Sequence, residues 1–213
     1  IEVFKLLYPK KKILLAAPTG RASRRMAEST GRNDAKTLHS LLGLLGENGY
    51  VRDKNQEPLD ASLIIVDESS MIDISLASSL LMSIDPQTTR LILIGDADQL
   101  PPVGPGIFFL ELIKSYRVST VRLKFSYRQS GSIAQNANKV NNGGEVHGFI
   151  RDDDFHLISA NKETAPEKAV KEYLQMVKKY GIDDVVMLSP KKKGNCGTIS
   201  LNLTIQNILN PQP

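Results

Sequence analysis

Two acidic residues in the middle of the chain, Asp67 and Glu68, come directly after the apolar residues 63–66. Phosphoryl transfer needs a carboxylate that holds Mg²⁺, often through water, and a second group that orients the attacking water. Asp67 fits the first role, as a metal ligand through water, and Glu68 fits the second. Taken alone, the pair is equally consistent with solvated acids that cap a strand or the following helix.

A second polar loop follows the next apolar run, residues 90–94. It reads GDADQLPPVG from Gly95 onward and contains Gln99. If the two runs are neighbouring strands, the Gln99 amide can reach the γ-phosphate of a nucleotide beside Asp67 and report its presence. The other interpretation is an Asp-rich turn punctuated by proline. Two polar loops at one edge of a sheet favour function, because open α/β sheets bind ligands at that edge.

A third candidate is Arg128, in the sequence Tyr127-Arg128-Gln129. A guanidinium group can stabilise the charge that grows on a transferring phosphoryl group, acting as an arginine finger. A solvated surface arginine is the common alternative. Only the position of Arg128 after the two polar loops favours a catalytic function.

The elements that position these residues are short apolar runs alternating with helical patterns, which is typical of parallel βαβ units. Strands are predicted at residues 12–17, 63–66, 90–94 and 118–123. Continuous apolar runs suit interior strands of a parallel sheet covered by helices on both faces. We therefore expect an α/β fold.

Helical patterns occupy much of the rest of this region. One helix is predicted to follow Pro18-Thr19-Gly20 and a second to span residues 37–45, while residues 46–58 are polar and predict a loop or small insertion. Residues 1–8 also have apolar side chains at helical spacing. Because the chain opens inside this pattern, we expect it to be a piece of a longer polypeptide.

The pattern changes after Gly143-Gly144, and a domain boundary is predicted near residue 145. Beyond it we expect a strand at residues 155–158, an amphipathic helix at 163–180 and another strand at 185–188.

Composition narrows the function classes. The 213 residues are 41% hydrophobic with a formal net charge of +4, which permits nucleic-acid binding without demanding it. No apolar run has the length of a membrane span and the N-terminus lacks the features of a signal peptide. The single cysteine, Cys196, fits a reducing cytoplasm, and the three histidines show no metal-ligand spacing.

Several segments, in this order, resemble the superfamily 1 helicases, specifically the RecD-like (RecD/TraA-type) group that includes the exodeoxyribonuclease V alpha subunit. They resemble helicase motifs Ia to IV and the opening of the second motor domain. The segments are APTGRA at 17–22, TLHSLLG at 37–43, VDESSM at 66–71, GDADQLPPVGPG at 95–106, YRQ at 127–129 and LSPKKKGNCG at 188–197.

The resemblance implies a P-loop NTPase motor of two RecA-like domains that couples ATP hydrolysis to 5′–3′ movement along single-stranded DNA, in recombination or repair. Residues 1–145 would be the first domain, and residues 146–213 a linker and the start of the second. ATP and Mg²⁺ would be the cofactors, and other recombination or repair subunits are possible partners. Asp67 would hold Mg²⁺, Glu68 would activate water, Gln99 would couple the γ-phosphate to DNA, and Arg128 would be the finger.

The resemblance also implies a DNA track. Its candidate residues are Pro18, Thr19, Arg21, Thr37, His39, Lys191, Lys193 and Gly197. Amides at a helix N-terminus favour a phosphate, and Arg21 adds charge there. In the simpler interpretation Thr19 caps its helix, Arg21 is solvated, His39 is a satisfied core residue and the lysines are a solvated charge run.

No GxxxxGK[ST] loop occurs in the sequence, so the main cradle for the β- and γ-phosphates is missing from these residues. In the family that loop precedes the helix that ends near Tyr8, so we expect it upstream of Ile1. These residues alone should hydrolyse ATP poorly or not at all. The alternative is a module that has lost ATPase activity and serves in DNA binding or subunit interaction. A nuclease using Asp67, Glu68, Asp96 and Asp98 with two metals is less favoured.

Overall fold

The structure is a computed structural model that describes residues 1–44, 57–123 and 131–211. The chain divides into two compact units, Ile1–Phe125 and Ser126–Pro213. This division lies ahead of the boundary expected near residue 145. The assignment of the two parts to motor domains stays a prediction.

The first unit is built on a parallel sheet. Its strands are β1 (Ile13–Ala17), β2 (Lys36–Thr37), β3 (Leu63–Val66) and β4 (Arg90–Leu93). They lie in the order β2-β1-β3-β4, and every neighbouring pair is parallel. The pairing is in step: Ala17 lies opposite Thr37, Ala16 opposite Val66, and Val66 opposite Leu93. The carboxyl ends of the strands are therefore level, which positions the loops that follow them along one edge.

Helices connect the strands. In this unit they are α1 (Glu2–Leu7), α2 (Gly20–Thr30), α3 (Leu38–Leu41), α4 (Ile74–Met82) and α5 (Phe108–Lys114). A short 3₁₀ turn, Ser69–Met71, follows β3. The predicted helix at 37–45 is much shorter than expected, because the chain leaves the helix at Leu42, and Leu45 lies outside the described residues.

The two faces of the sheet carry separate apolar cores, because successive side chains of a strand point to opposite faces. Ile64 and Val66 of β3 pack with residues of α3 and α4 such as Leu38 and Leu80. Leu63 and Ile65 pack on the other face with Met26 of α2 and, at its margin, Phe4 of α1. The predicted α/β fold, a parallel sheet with helices on both faces, is confirmed.

The inner and outer strands differ in burial. All residues of β3 are buried, as the prediction of an interior strand requires. β4 lies at the edge of the described sheet and its residues alternate between exposed and half-buried; Ile92 is 45% exposed. The strand predicted at residues 90–94 is confirmed for residues 90–93. The expectation that helices cover both faces of this strand is wrong in the described part of the chain.

The second unit is helical in its described part. It contains α6 (Gly131–Asn141), a 3₁₀ turn at Val146–Gly148, α7 (Ala165–Tyr180) and α8 (Thr198–Leu209). The predicted helix at 163–180 is confirmed and starts two residues later than expected. A proline in its first turn and the acid Glu167 favour this start. Within the described ranges of the chain, every helix is too short or too polar to cross a lipid bilayer.

Three predicted strands are wrong. Residues 118–123 and 185–188 form no strand, and residues 155–158 contribute only an isolated bridge between Phe155 and Asp152. A strand needs a partner that satisfies its backbone groups, and a short apolar run carries no information about that partner. Val121 and Leu188 are 88% and 89% exposed, as expected for segments without one.

Candidate functional site

Polar loops leave the carboxyl ends of all the strands at one edge of the sheet. The ladder continues slightly past β3 and β4, because Asp67 N–H donates to Ala16 O at 3.0 Å and Ile94 N–H donates to Val66 O at 2.8 Å. Asp67 and Gly95 therefore begin their loops side by side. From the sequence it was open whether the two apolar runs are neighbouring strands, and the β3–β4 pairing shows that they are.

The acidic pair has an unusual backbone. Glu68 is in the left-handed region, with φ 51° and ψ 39°, which is uncommon for a residue with a side chain. Asp67 Oδ1 accepts a hydrogen bond from Glu68 N–H at 2.9 Å, which stabilises this turn. Both residues are half-buried. Strained backbone persists where the surrounding structure holds it and is common at functional sites.

The turn after the acids packs tightly against the start of the next loop. Ser69 N–H donates to Ile94 O at 2.8 Å, and Ser69 Oγ–H donates to Val66 O at 3.0 Å. A Cβ added at Gly95 would lie 2.9 Å from Ser70 N and 3.1 Å from Ser69 N. Glycine is therefore required at Gly95 for the two loops to approach. Sequence reasoning missed this function, although a glycine at the end of a strand is a signal of close backbone approach.

Gln99 lies in the middle of the second loop. Its side chain is exposed, and its backbone N–H donates to Asp96 O at 3.3 Å. Asp96 Oδ1 also accepts from Asp98 N–H at 3.0 Å, which forms the Asp-rich turn that the simpler interpretation expected. Further along, Pro105 O accepts from Ile74 N–H at 2.9 Å. The loop is thus anchored at its two ends on the segment that follows Glu68.

The candidate DNA residues of the first unit follow β1 and β2. Pro18 and Thr19 leave β1, and Thr19 Oγ1 caps α2 by accepting from Ala22 N–H at 3.2 Å. Arg21 is exposed in the first turn of that helix. The capping interpretation of Thr19 is correct, and it leaves Arg21 free to meet an anion at the same helix end.

The second candidate segment lies beside the first. Thr37 ends β2 and caps α3, where its Oγ1 accepts from Ser40 N–H at 3.2 Å. His39 is half-buried in the same short helix. Because Ala17 lies opposite Thr37, the two segments are adjacent at the carboxyl edge. The structure thus brings together the candidates on β1 and β2, on the half of the sheet away from β4.

The candidates Lys191, Lys193 and Gly197 lie in the second unit. Both lysines are exposed and precede α8, whose first amides are already bonded, since Thr198 N–H donates to Lys191 O at 3.0 Å. Gly197 is buried, and a Cβ there would lie 2.6 Å from the carbonyl carbon of Lys193. Gly197 therefore has a clear structural function in closing this turn. Contact of the three residues with DNA stays a prediction.

Arg128, together with the rest of Tyr127-Arg128-Gln129, lies outside the described residues. Its proposed function as an arginine finger stays a prediction.

An ion pair lies at the opposite edge of the sheet from the acids. Arg32 Nε–H donates to Asp34 Oδ1 at 2.9 Å, and a second guanidinium N–H donates to Ile13 O at the start of β1. The hydrogen bond from Arg32 lowers the pKa of Asp34 below its ordinary value. The same hydrogen bond raises the pKa of Arg32. This pair fastens the segment after α2 to the beginning of β1.

The carboxylates after β3 suit a metal ion that takes most of its ligands from water and from the phosphates of a bound nucleotide. Among the residues that the structure describes, no group of three or more His, Cys, Asp and Glu is placed to hold a metal by itself. The nuclease interpretation therefore finds no support there. Mg²⁺ is commonly held by one carboxylate, waters and substrate phosphates, and it needs no such group. Asp67, with one carboxylate oxygen engaged by Glu68 N–H and the other available, fits that arrangement.

Comparison with known proteins gives a consistent set of relatives. A family model described as an AAA domain matches residues 1–105. An ATP-dependent RecD2 DNA helicase of Deinococcus radiodurans is 38% identical over 203 residues, which cover 92% of this chain and 26% of the relative. RecBCD enzyme subunit RecD of Mycobacterium tuberculosis is 34% identical over 165 residues, covering 67% of this chain and 28% of the relative. The chain thus spans about a quarter of the length of these curated relatives.

The similarity of this chain to solved structures is weaker than its sequence similarity to the curated relatives. A crystal structure of Pif1 helicase from Bacteroides in complex with ADP-AlF3 and single-stranded DNA is 22% identical, with a TM-score of 0.43, over 86% of this chain and 51% of that one. A likeness of this size carries no argument about function.

Proposed function

The chain is RecD-like in sequence, and from that premise we propose that its first unit is the nucleotide-hydrolysing part of an ATP-driven DNA helicase motor. One observation carries the proposal. The sheet order β2-β1-β3-β4 separates the candidate DNA residues, after β2 and β1, from the candidate ATP residues, after β3 and β4, along a single level edge. A motor needs this adjacency, because a change at the nucleotide must reach the DNA over a short distance.

On the nucleotide half, Asp67 would hold Mg²⁺ through water and Glu68 would orient the water that attacks the γ-phosphate. ATP would supply the phosphoryl group, and Mg²⁺ would neutralise negative charge on its phosphates. The left-handed backbone of Glu68 aims its carboxylate from a turn that Ser69 and Gly95 hold in place. Gln99 binds the γ-phosphate from the neighbouring loop, and Arg128 stabilises the charge of the transition state.

On the DNA half, Arg21 at the start of α2 and the segment from Thr37 to His39 bind the backbone of single-stranded DNA. The amides and charge at a helix N-terminus suit a phosphate. In the second unit, Lys191, Lys193 and Gly197 also bind single-stranded DNA. We propose 5′–3′ movement and a function in recombination or repair, with other subunits as partners, on the basis of the RecD-like resemblance.

The 213 residues contain no GxxxxGK[ST] loop. They therefore supply the carboxylate side of the nucleotide site but not the amides and lysine that cradle the phosphates. ATP hydrolysis as proposed here requires such a loop from outside these 213 residues. The alternative, a module without ATPase activity that binds DNA or another subunit, requires that this loop is absent there too.

Glu68→Gln in the full-length protein tests the assignment. We expect loss of DNA-stimulated ATP hydrolysis by at least about a hundredfold with ATP binding largely retained, because the amide keeps the shape of the side chain but cannot act as a base. Glu111→Gln is the matched control, since Glu111 is an exposed acid on α5 and should leave hydrolysis unchanged.

Retained turnover in Glu68→Gln would remove Glu68 from its proposed role. Absence of hydrolysis in the unsubstituted protein would instead favour the binding module.

A further inference from the structure

Ser70 has a buried hydroxyl group without a partner. Only 9% of the residue is exposed, and its Oγ has no hydrogen-bond partner among the described residues. Burying a hydroxyl without a hydrogen bond is unfavourable, and such groups in native proteins need an explanation. Other buried serines nearby are satisfied: Ser69 Oγ–H donates to Val66 O, and Ser83 Oγ–H donates to Ser79 O. Among the described residues, Ser70 Oγ is the one buried side-chain oxygen or nitrogen without a hydrogen-bond partner.

A cavity of about 270 Å³ adjoins this hydroxyl. It is lined by Ser70, by Gln99 and its neighbours Ala97 and Leu100–Pro102, and by apolar residues at the start of α5. Its walls are mostly apolar, so a polar group that enters it has few competing partners.

Gln99 is the side chain placed to enter. It lines the same cavity, and in the described structure its amide makes no hydrogen bond, while its backbone is held only through Asp96 O. The ends of its loop are fixed by Gly95 against Ser70 and by Pro105 O on Ile74 N–H. Between these anchors the loop is held by the Asp96 turn and by an exposed ion pair between Asp98 and Arg122. Exposed ion pairs contribute little stability, so a shift of Gln99 toward the cavity costs few contacts.

We propose that Ser70 is a positioning residue for Gln99: when the loop of residues 96–103 closes over a bound nucleotide, the Ser70 hydroxyl hydrogen-bonds the Gln99 side-chain amide. An amide both donates and accepts, so it can pair with the hydroxyl and with a γ-phosphate oxygen together. The contact links the turn that carries Asp67 and Glu68 to the loop that reads the phosphate. This inference rests on the proposed function and extends it to a residue outside the predicted site.

A double-mutant cycle in the full-length protein tests the contact. The variants are Ser70→Ala, Gln99→Ala and both together, and kcat and KM for ATP are measured with saturating single-stranded DNA. Loss of one neutral hydrogen bond should lower the kcat of Ser70→Ala about tenfold, equivalent to about 1.4 kcal/mol, with little change in KM. Adding Ser70→Ala to Gln99→Ala should lower kcat no further, because the partner is already gone.

Thermal unfolding separates positioning from a structural role. Without nucleotide, Ser70→Ala should not lower Tm, since the hydroxyl makes no bond in the open loop. With Mg²⁺, a non-hydrolysable ATP analogue and single-stranded DNA, its Tm should rise less than that of the unsubstituted protein. Ser83→Ala, the buried and bonded control, should lower Tm and leave kcat unchanged. Ser70→Thr, which keeps the hydroxyl beside a cavity with room for a methyl group, should retain activity.

Unchanged kcat in Ser70→Ala, or an equal further loss on adding Ser70→Ala to Gln99→Ala, would overturn the positioning role alone. A lower kcat in Ser70→Ala together with a lower Tm of the nucleotide-free variant would also overturn it, because the effect would then be purely structural. An unsubstituted protein that fails to hydrolyse ATP would overturn the proposed function, and this inference with it.

Discussion

At the scale of single residues, the candidate site depends on backbone geometry as much as on side-chain chemistry. Glu68 is held at positive φ, and Asp67 accepts its N–H, so the two acids form one rigid turn. Left-handed backbone costs about 1–2 kcal/mol for a residue with a Cβ. The fold offsets that cost through the contacts of Ser69 and Gly95.

Gly95 gives a prediction about packing at this scale. Gly95→Ala should destabilise the protein by about 1–3 kcal/mol, because the new methyl group would press on the backbone of Ser69 and Ser70, which cannot swing away. Gly20→Ala is the control, since a Cβ at Gly20 meets nothing within 4 Å. Urea unfolding measures both, and a Gly95→Ala protein as stable as Gly20→Ala would contradict the tight approach.

The sequence was sufficient to propose Asp67, Glu68 and Gln99, since their types and their positions after apolar runs are local features. It was insufficient to predict the unpaired hydroxyl of Ser70 or the close backbone approach at Gly95. Whether a serine hydroxyl is left unpaired, or a glycine meets another backbone, depends on which strand lies beside which, and that is set by tertiary pairing.

At the scale of elements, the parallel register is what makes the site. β1, β3 and β4 pair in step, so each following loop starts at the same level. The sequence predicted β1, β3 and β4 from short apolar runs, and these three runs find parallel partners in the sheet. It failed for residues 118–123, 155–158 and 185–188, where a short apolar run has no neighbouring strand to complete its hydrogen bonds.

The ion pair between Arg32 and Asp34 gives a pH-dependent prediction. Because its pKa is lowered on folding, Asp34 adds stability at pH values above its ordinary pKa of 3.8, and this stability is lost as pH falls through the lower folded value. Asp34→Asn should therefore lower Tm at pH 7, and the difference from the unsubstituted protein should shrink in acid below about pH 4.

Thermal unfolding across this pH range measures the difference. The control is a protein that already carries Arg32→Ala. In that protein the further change Asp34→Asn should hardly alter Tm at any pH, because the partner of Asp34 is gone. A Tm difference of constant size from pH 7 to pH 3 would show that the pair does not act through the charge of Asp34.

At the scale of the whole molecule, the sheet places two chemistries side by side. β2 and β1 lead to Thr37 and Arg21, and β3 and β4 lead to Asp67 and Gln99. The half of this edge that follows β2 and β1 is basic at Arg21. The half that follows β3 and β4 is acidic at Asp67 and Glu68. The arrangement suits a strand of phosphates on one side and a metal-bound nucleotide on the other.

Arg21 tests the DNA half. In the full-length protein Arg21→Ala should weaken single-strand affinity, more at low salt than at high salt, and should reduce the slope of log K against log salt by about 1. Arg25→Ala removes the same charge from an exposed position further along α2 and should change the slope less. Equal slopes for the unsubstituted and Arg21→Ala proteins would remove Arg21 from the track.

We propose above all that this edge of the sheet belongs to an ATPase that single-stranded DNA stimulates. The most direct measurement is the rate of ATP hydrolysis by the full-length protein with and without single-stranded DNA, with Glu68→Gln beside it. Hydrolysis that single-stranded DNA stimulates and that Glu68→Gln abolishes is the predicted result. A rate indifferent to DNA, or no hydrolysis at all, would contradict it.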